Sequence, residues 1–204
     1  MMAEKIENNV FRILVPFEDL TTTVYVYKCD DGVAIIDSAT CGTDVDEYIL
    51  PALKKLGIPL AQVKYLLLTH DHGDHSGGIE RLREVLPEAC VMTSYGMGMK
   101  VSDGQRIIGN LAALHLPGHT AHAMGYFDTE SKTLLSGDCL QLKEIGKYRQ
   151  GVGDKSAYVS TVKRLKAMDI YRIVAAHEYD PLGSIAEGKE NVLNYLDKCI
   201  EYAE

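Results

Sequence analysis

The sequence predicts an α/β protein of four layers, two β-sheets face to face with helices outside. Three observations carry this. Short strand-like apolar runs alternate with helical patterns along the chain. The two halves share a pattern: Tyr25-Val-Tyr, the turn Asp30-Asp-Gly32 and Val33-Ala-Ile-Ile-Asp37 match Gly125-Tyr-Phe, a polar turn and Lys132-Thr-Leu-Leu-Ser-Gly-Asp138. Finally, Lys64-Tyr-Leu-Leu-Leu-Thr-His70 matches Tyr171-Arg-Ile-Val-Ala-Ala-His177, so each half ends a buried strand on histidine. A hairpin–helix–strand unit facing its twin produces the four layers.

The elements follow in order. Residues 10–16 and 22–28 alternate as strands, and 33–37 completes a hairpin around Asp30-Asp-Gly32. Residues 43–56 have helical periodicity and stop at Gly57. Residues 64–69 form a buried strand, and 75–86 a helix ended by Pro87. Short strands are expected at 90–93, 105–108 and 112–116, and then 125–128 and 132–136 form the second hairpin. A loop rich in Gly and Lys spans 141–154. Residues 156–168 read as a helix, 171–176 as a strand and 184–202 as a closing helix, entered through the capping box Ser184-Ile-Ala-Glu187.

Bulk properties narrow the function. With 204 residues, 46% of them hydrophobic and 25% charged, the chain reads as one globular domain over residues 1–204. A formal charge of −8 without a basic stripe argues against nucleic acid as a partner and for a small-molecule substrate. No signal peptide is visible, and no apolar run approaches the roughly 20 residues of a membrane span. The 5 cysteines lack paired spacing, which fits a reducing cytoplasm, and most are expected to be buried free thiols.

Three of the 7 histidines lie between His70 and His75, in Thr69-His-Asp-His-Gly-Asp-His-Ser76. In an extended segment His-x-His puts two imidazoles on one side. Gly73 is expected to take a backbone shape closed to other residues, and Asp74-His75 follows it. His70/His72 and Asp74/His75 are therefore two pairs of metal donors, of the nitrogen-plus-carboxylate kind that zinc, iron and manganese accept. Two pairs suggest two metals, whose remaining ligands must come from elsewhere. His119 in a tight turn, Asp138 at a strand end and His177 at another strand end are placed by the repeat beside this loop.

These residues resemble the metallo-β-lactamase superfamily, over essentially the whole chain. The resemblance rests on the His-x-His-x-Asp-His run at His70 to His75, then Gly-His at His119, Gly-Asp at Asp138 and the strand-end His177. It implies an αββα sandwich with two divalent ions, zinc first, iron or manganese being acceptable. By this resemblance His70, His72 and His119 hold one ion, Asp74, His75 and His177 the other, and Asp138 bridges them. It also implies that Asp37 fixes the ligand loop. The implied reaction is hydrolysis by a water shared between the ions, with Asp74 as the catalytic side chain that orients it or carries a proton. Cys139 is turned away from the metals by alternation.

Within the superfamily the chain resembles glyoxalase II and the lactonases. Asp138 separates it from true β-lactamases, and His72 from flavodiiron proteins, which have Glu there. The expected substrate is a small acyl ester, thioester or lactone; the alternatives are a di-iron redox or oxygen-handling protein and a phosphodiesterase. The residues after Asp138 suffice only to finish the sandwich, so poor turnover of S-lactoylglutathione is expected. The family's usual Pro-Gly-His-Thr-Pro-Gly becomes Pro-Gly-His-Thr-Ala-His here, so His122 either lines the pocket or has a solvent-facing or structural role. Tyr148, Tyr158 and Tyr179 are candidate donors to a carbonyl oxygen. Lys143, Lys147 and Arg149 read as a solvated loop, and His115 as a core residue.

Overall fold

The computed structural model describes residues 3–140, 153–178 and 183–203. Tyr148, Tyr179, Lys143, Lys147 and Arg149 lie outside the described residues. The first half forms β1 (Glu4–Lys5), β2 (Val10–Phe17), β3 (Leu20–Cys29), β4 (Gly32–Ile36), β5 (Val63–Leu67), β6 (Cys90–Thr93) and β7 (Met99–Lys100), which lie in that order in one sheet. The second half forms β8 (Arg106–Ile108), β9 (Leu111–His115), β10 (Met124–Asp128), β11 (Thr133–Gly137), β12 (Arg172–Ala175) and β13 (Ile185–Glu187), in order β13-β12-β11-β10-β9-β8.

Side-chain alternation along these strands sorts the apolar residues into three cores. Tyr25, Tyr27, Ala34, Ile36 and Leu67 of the first sheet meet Met124, Tyr126, Leu135 and Val174 of the second. The neighbours of these residues in the chain face the other way. Val24, Val26, Val33, Ile35 and Leu66 pack on one pair of helices, and Leu134 and Ile173 on another. Three cores between four layers is the αββα sandwich that the sequence predicts.

The internal repeat is borne out by topology. In each half an antiparallel hairpin (β3–β4, β10–β11) is joined by a helical crossover to a parallel strand (β5, β12). The first crossover carries α1 (Gly42–Asp44) and α2 (Leu50–Lys55), joined by one π turn over Val45–Ile49. After β5 come α3 (Gly73–Ser76) and α4 (Ile79–Val85), and the second half contributes α5 (Lys155–Lys166) and α6 (Lys189–Ala203). Among the described residues, no helix is long and apolar enough to cross a membrane.

Several expectations are corrected. The closing helix does not start at Ser184. Ile185–Glu187 is an edge strand against Arg172–Val174, and α6 begins only after Gly188, whose φ of 90° breaks the chain direction. Tertiary partners override the capping box: the Ser184 hydroxyl accepts from buried Arg12 Nη1 at 2.7 Å. The helix expected over 75–86 is two pieces, interrupted at Gly77-Gly78. There the backbone presses against the first crossover, and a Cβ would lie 1.9 Å from the Thr40 carbonyl oxygen at Gly77 and 2.1 Å from that of Ser38 at Gly78. Gly73, by contrast, is an ordinary first-turn residue with no atom within 4 Å of a built Cβ, so it is not the special position expected. Only Cys139 and Cys199 of the five cysteines are buried.

Gly77→Ala is therefore expected to destabilise the fold by about 1–3 kcal/mol, because the clash is with backbone that cannot swing aside. Chemical denaturation measures it, and a variant as stable as the parent would show that the loop has room to give.

Candidate metal centre

The loops at one rim of the sandwich bring together all seven residues singled out as ligands, in two sets. His70, His72, His119 and Asp138 form one, and Asp74, His75 and His177 the other; the donor atoms of each lie within 4.8 Å of one another. His119 Nε2 is 3.2 Å from His70 Nε2, 3.0 Å from His72 Nδ1 and 3.6 Å from Asp138 Oδ2. Asp138 Oδ1 faces the other set, 3.5 Å from His75 Nε2 and 3.3 Å from His177 Nε2. Asp74 Oδ2 lies 3.3 and 3.2 Å from the same two nitrogens. The carboxylate of Asp138 thus turns one oxygen to each set.

The strand ends explain this convergence. His70 follows β5 and His177 follows β12, the equivalent parallel strands of the two halves. Asp138 follows β11, where Gly137 takes a φ of 54° and packs so closely on Thr69 that a Cβ would meet its side chain at 2.8 Å. His119 sits in the β9–β10 turn; the neighbouring Gly118, φ 146°, leaves no room for a Cβ against Tyr158 Cα at 2.6 Å.

Hydrogen bonds assign the imidazole protons. Asp37 is buried at the end of β4 with a φ of 66°. It accepts from the Thr69 backbone N–H at 2.7 Å, from the Thr69 hydroxyl at 2.8 Å and from His75 Nδ1 at 2.7 Å. Since the Thr69 hydroxyl spends its proton on Asp37, it accepts from His70 Nδ1 at 3.0 Å. His177 Nδ1 donates to the Thr21 carbonyl at 2.8 Å. Nδ1 holds a proton in all three rings, so Nε2 of His70, His75 and His177 is the nitrogen turned into the site and the one left to bind an ion. Such outer bonds fix the tautomer of a metal-bound histidine. His75 Nε2 is buried and makes no hydrogen bond of good geometry despite the carboxylates near it. Nitrogen lone pairs converging with carboxylates fit a pair of divalent cations.

The electrostatics agree. Burial keeps His70 well below its ordinary pKa and lowers that of His119 to about 4, so both rings are neutral donors. Burial opposes charge on His75 and His177 as well, but Asp138 outweighs it, helped by Asp37 at His75 and Asp74 at His177. The His75 pKa is raised, and that of His177 rises to about 10. Burial also opposes charge on Asp74 and Asp138, and the two histidines hold both carboxyls below the usual range. This second set is a buried field that favours positive charge.

Other candidates fall elsewhere. Tyr158 lies on the buried face of α5 and packs in the outer core with residues of α6, so it is not a donor to substrate. His115 is half-buried, not core, and its Nε2 lies 2.9 Å from the Ala121 carbonyl oxygen. Cys139 is buried in the outer core, turned from the site as alternation predicts, and burial pushes its thiol up. His122 stands beside the site, with Nε2 2.9 Å from Asp71 Oδ1. Asp71 lies in the histidine run, but nothing local in the sequence marked it as the partner of His122.

The fold is that of the metallo-β-lactamases: a solved metallo-β-lactamase from Pontibacter korlensis superposes with a TM-score of 0.78 at 20% identity, covering 98% of this chain and 97% of that one. The family model "Metallo-beta-lactamase superfamily" matches residues 18–91, which contain Asp37 and the histidine run. A beta-lactamase-like protein 2 homolog from Caenorhabditis elegans is 28% identical over 98% of this chain and 68% of its own length. A hydroxyacylglutathione hydrolase from a Synechococcus strain is 30% identical over 70% of this chain and 60% of its own length. The chain belongs to the metallo-β-lactamase superfamily. It spans between 51% and 68% of the length of the first curated relatives it matches.

Asp37→Asn tests the outer bonds. Asparagine tolerates the left-handed backbone and keeps an acceptor for Thr69, but its amide N–H would face His75 Nδ1 and force the ring proton to Nε2. Metal affinity of the Asp74/His75/His177 set should fall about 10- to 100-fold in a chelator competition; wild-type affinity would refute the tautomer assignment.

Proposed function

We propose that this chain is a dinuclear metal-dependent hydrolase of a small acyl ester, thioester or lactone. The observation that carries the reading is Asp138, whose two carboxylate oxygens face two separate donor sets at the strand ends. Bound divalent ions, zinc first among them, would acidify a shared water and polarise a carbonyl or phosphoryl oxygen. His70, His72 and His119 would hold one ion, Asp74, His75 and His177 the other, and Asp138 both. Asp138 supplies negative charge between the sets and fixes their separation. Asp74, less buried than Asp138, is the group placed to orient the attacking water and to take up and pass on its proton.

Two further facts support an acyl substrate. The named relatives include hydroxyacylglutathione hydrolases, at about 30% identity. The net charge of −8 disfavours a polyanionic substrate such as nucleic acid. A small molecule acted on in the cytoplasm, without nucleic acid or membrane as partner, is the reading that follows.

Zinc-loaded protein assayed against thioesters (a hydroxyacylglutathione among them), lactones, β-lactams and phosphodiesters should cleave a thioester or lactone. Efficient phosphodiester cleavage with every acyl substrate untouched would overturn the proposal, and stoichiometric redox-active iron in protein made without added zinc would favour the di-iron alternative. Wild-type protein should bind two metals per chain and His75→Ala should lose chiefly one; a wild type that never exceeds one metal refutes the dinuclear reading. Asp138→Asn, which keeps the size but removes the charge between the sets, should lower turnover by about 100-fold or more without unfolding the chain, a loss of the size that follows removal of one electrostatic group.

A further inference from the structure

His122 and Asp71 are absorbed by neither donor set, yet each adjoins one. Asp71 lies between His70 and His72, and His122 three residues beyond His119. His122 Nε2 is 2.9 Å from Asp71 Oδ1, which joins the loop after β5 to the turn between β9 and β10. The His122 ring packs on Tyr95 with centroids 5.1 Å apart, tilted 50°, and the Ser94 hydroxyl donates to the His122 carbonyl. The imidazole is therefore held on its ring face and at its backbone as well as at Nε2. The joined segments carry the three histidines of one donor set, and their separation is what a bound ion senses.

We infer that Asp71 and His122 form a latch across the mouth of the site that sets the approach of His119 to His70 and His72, and with it the metal affinity of that set. Both are positioning residues, since neither is among the convergent donors. The inference rests on the reading of His70, His72, His119 and Asp138 as a metal-binding set. A partly exposed side-chain pair of this kind adds little to global stability, so its loss should leave the fold intact and loosen only the two loops. The other set is tied by Asp37 and by the Thr21 carbonyl, away from the latch, and should not respond.

The test uses the full chain, stripped of metal and titrated with Zn2+ against a chromophoric chelator, as wild type, Asp71→Asn, His122→Ala and the double variant. One of two zinc equivalents should weaken about tenfold in each single variant, the low end of the range for residues that orient ligands. The double variant should be no weaker than the weaker single one, because both changes open one contact. Metal-free melting temperatures should stay within about 3 °C of wild type. Unchanged zinc affinity in both single variants overturns the latch. So does equal weakening of both equivalents together with a lower metal-free melting temperature, which marks a general structural role. Effects that multiply in the double variant overturn it too. A wild type that takes up no zinc removes the metal-centre reading and the latch with it, whereas zinc binding without hydrolysis leaves the latch testable.

Discussion

The carboxylate of Asp37 holds the site together before any ligand atom is counted. It is buried where β4 ends, in a left-handed backbone conformation that costs a residue other than glycine about 1 kcal/mol or more. Its backbone N–H donates to the Leu67 carbonyl, while its side chain takes the Thr69 backbone and hydroxyl protons and His75 Nδ1–H. One residue thus ties the ends of two parallel strands to the first turn of α3. Through Thr69 it also orients His70, so one ligand of each donor set takes its tautomer from the same carboxylate.

How much of this was legible in the sequence depended on whether a feature was local. The period-2 runs, the hairpin at Asp30-Asp-Gly32 and the matching strands ending on His70 and His177 led to the layered fold, because alternation and strand-end position are encoded within a few residues. The convergence of seven side chains followed, since equivalent strands in the two halves end at one rim. Features decided by distant partners were not legible. Ser184 to Glu187 carries a capping box, but a buried arginine from β2 and an edge of β12 claim the segment. Gly77 and Gly78 interrupt a helical pattern because another crossover touches them. Tyr158 looks like any tyrosine in the first turn of a helix until α5 packs that face against α6 and buries it. The pairing of His122 with Asp71, separated by 51 residues, has no local signal at all.

The repeat also shows in how the sheets are fastened. Tyr25 on β3 donates its hydroxyl to the Val174 carbonyl across the interface, and Tyr126 on the equivalent strand β10 donates to that of Leu68. Each tyrosine fills the middle core with its ring and satisfies a buried carbonyl near the end of the parallel strand opposite. A buried acceptor left without a partner costs about 1–3 kcal/mol; Tyr126 supplies that partner to Leu68 from the other half, while the Val174 carbonyl takes Tyr25 together with a longer bond from the Ser136 hydroxyl of its own half. These ends are where His70 and His177 emerge. The fastening of the two sheets and the placement of the ligands are one piece of geometry.

The division of labour between the halves follows from the same symmetry. Asp37 and Asp138 occupy corresponding places, each after the second strand of its hairpin, yet one orients ligands and the other stands between the donor sets. The difference lies in what precedes them. Asp37 is itself in the left-handed conformation and turns back on its own loop, whereas in the second half Gly137 takes that conformation and the β11 register shifts, so Asp138 projects forward. Both donor sets therefore draw on both halves. His70 and His72 need His119 and Asp138, and Asp74 and His75 need His177 and Asp138. Neither set exists in an unpaired half, so an ion bound there would select the packed sandwich and add to its stability by mass action. The carboxylates that make the site attractive to cations are tolerable in a buried rim because both halves surround them with histidines.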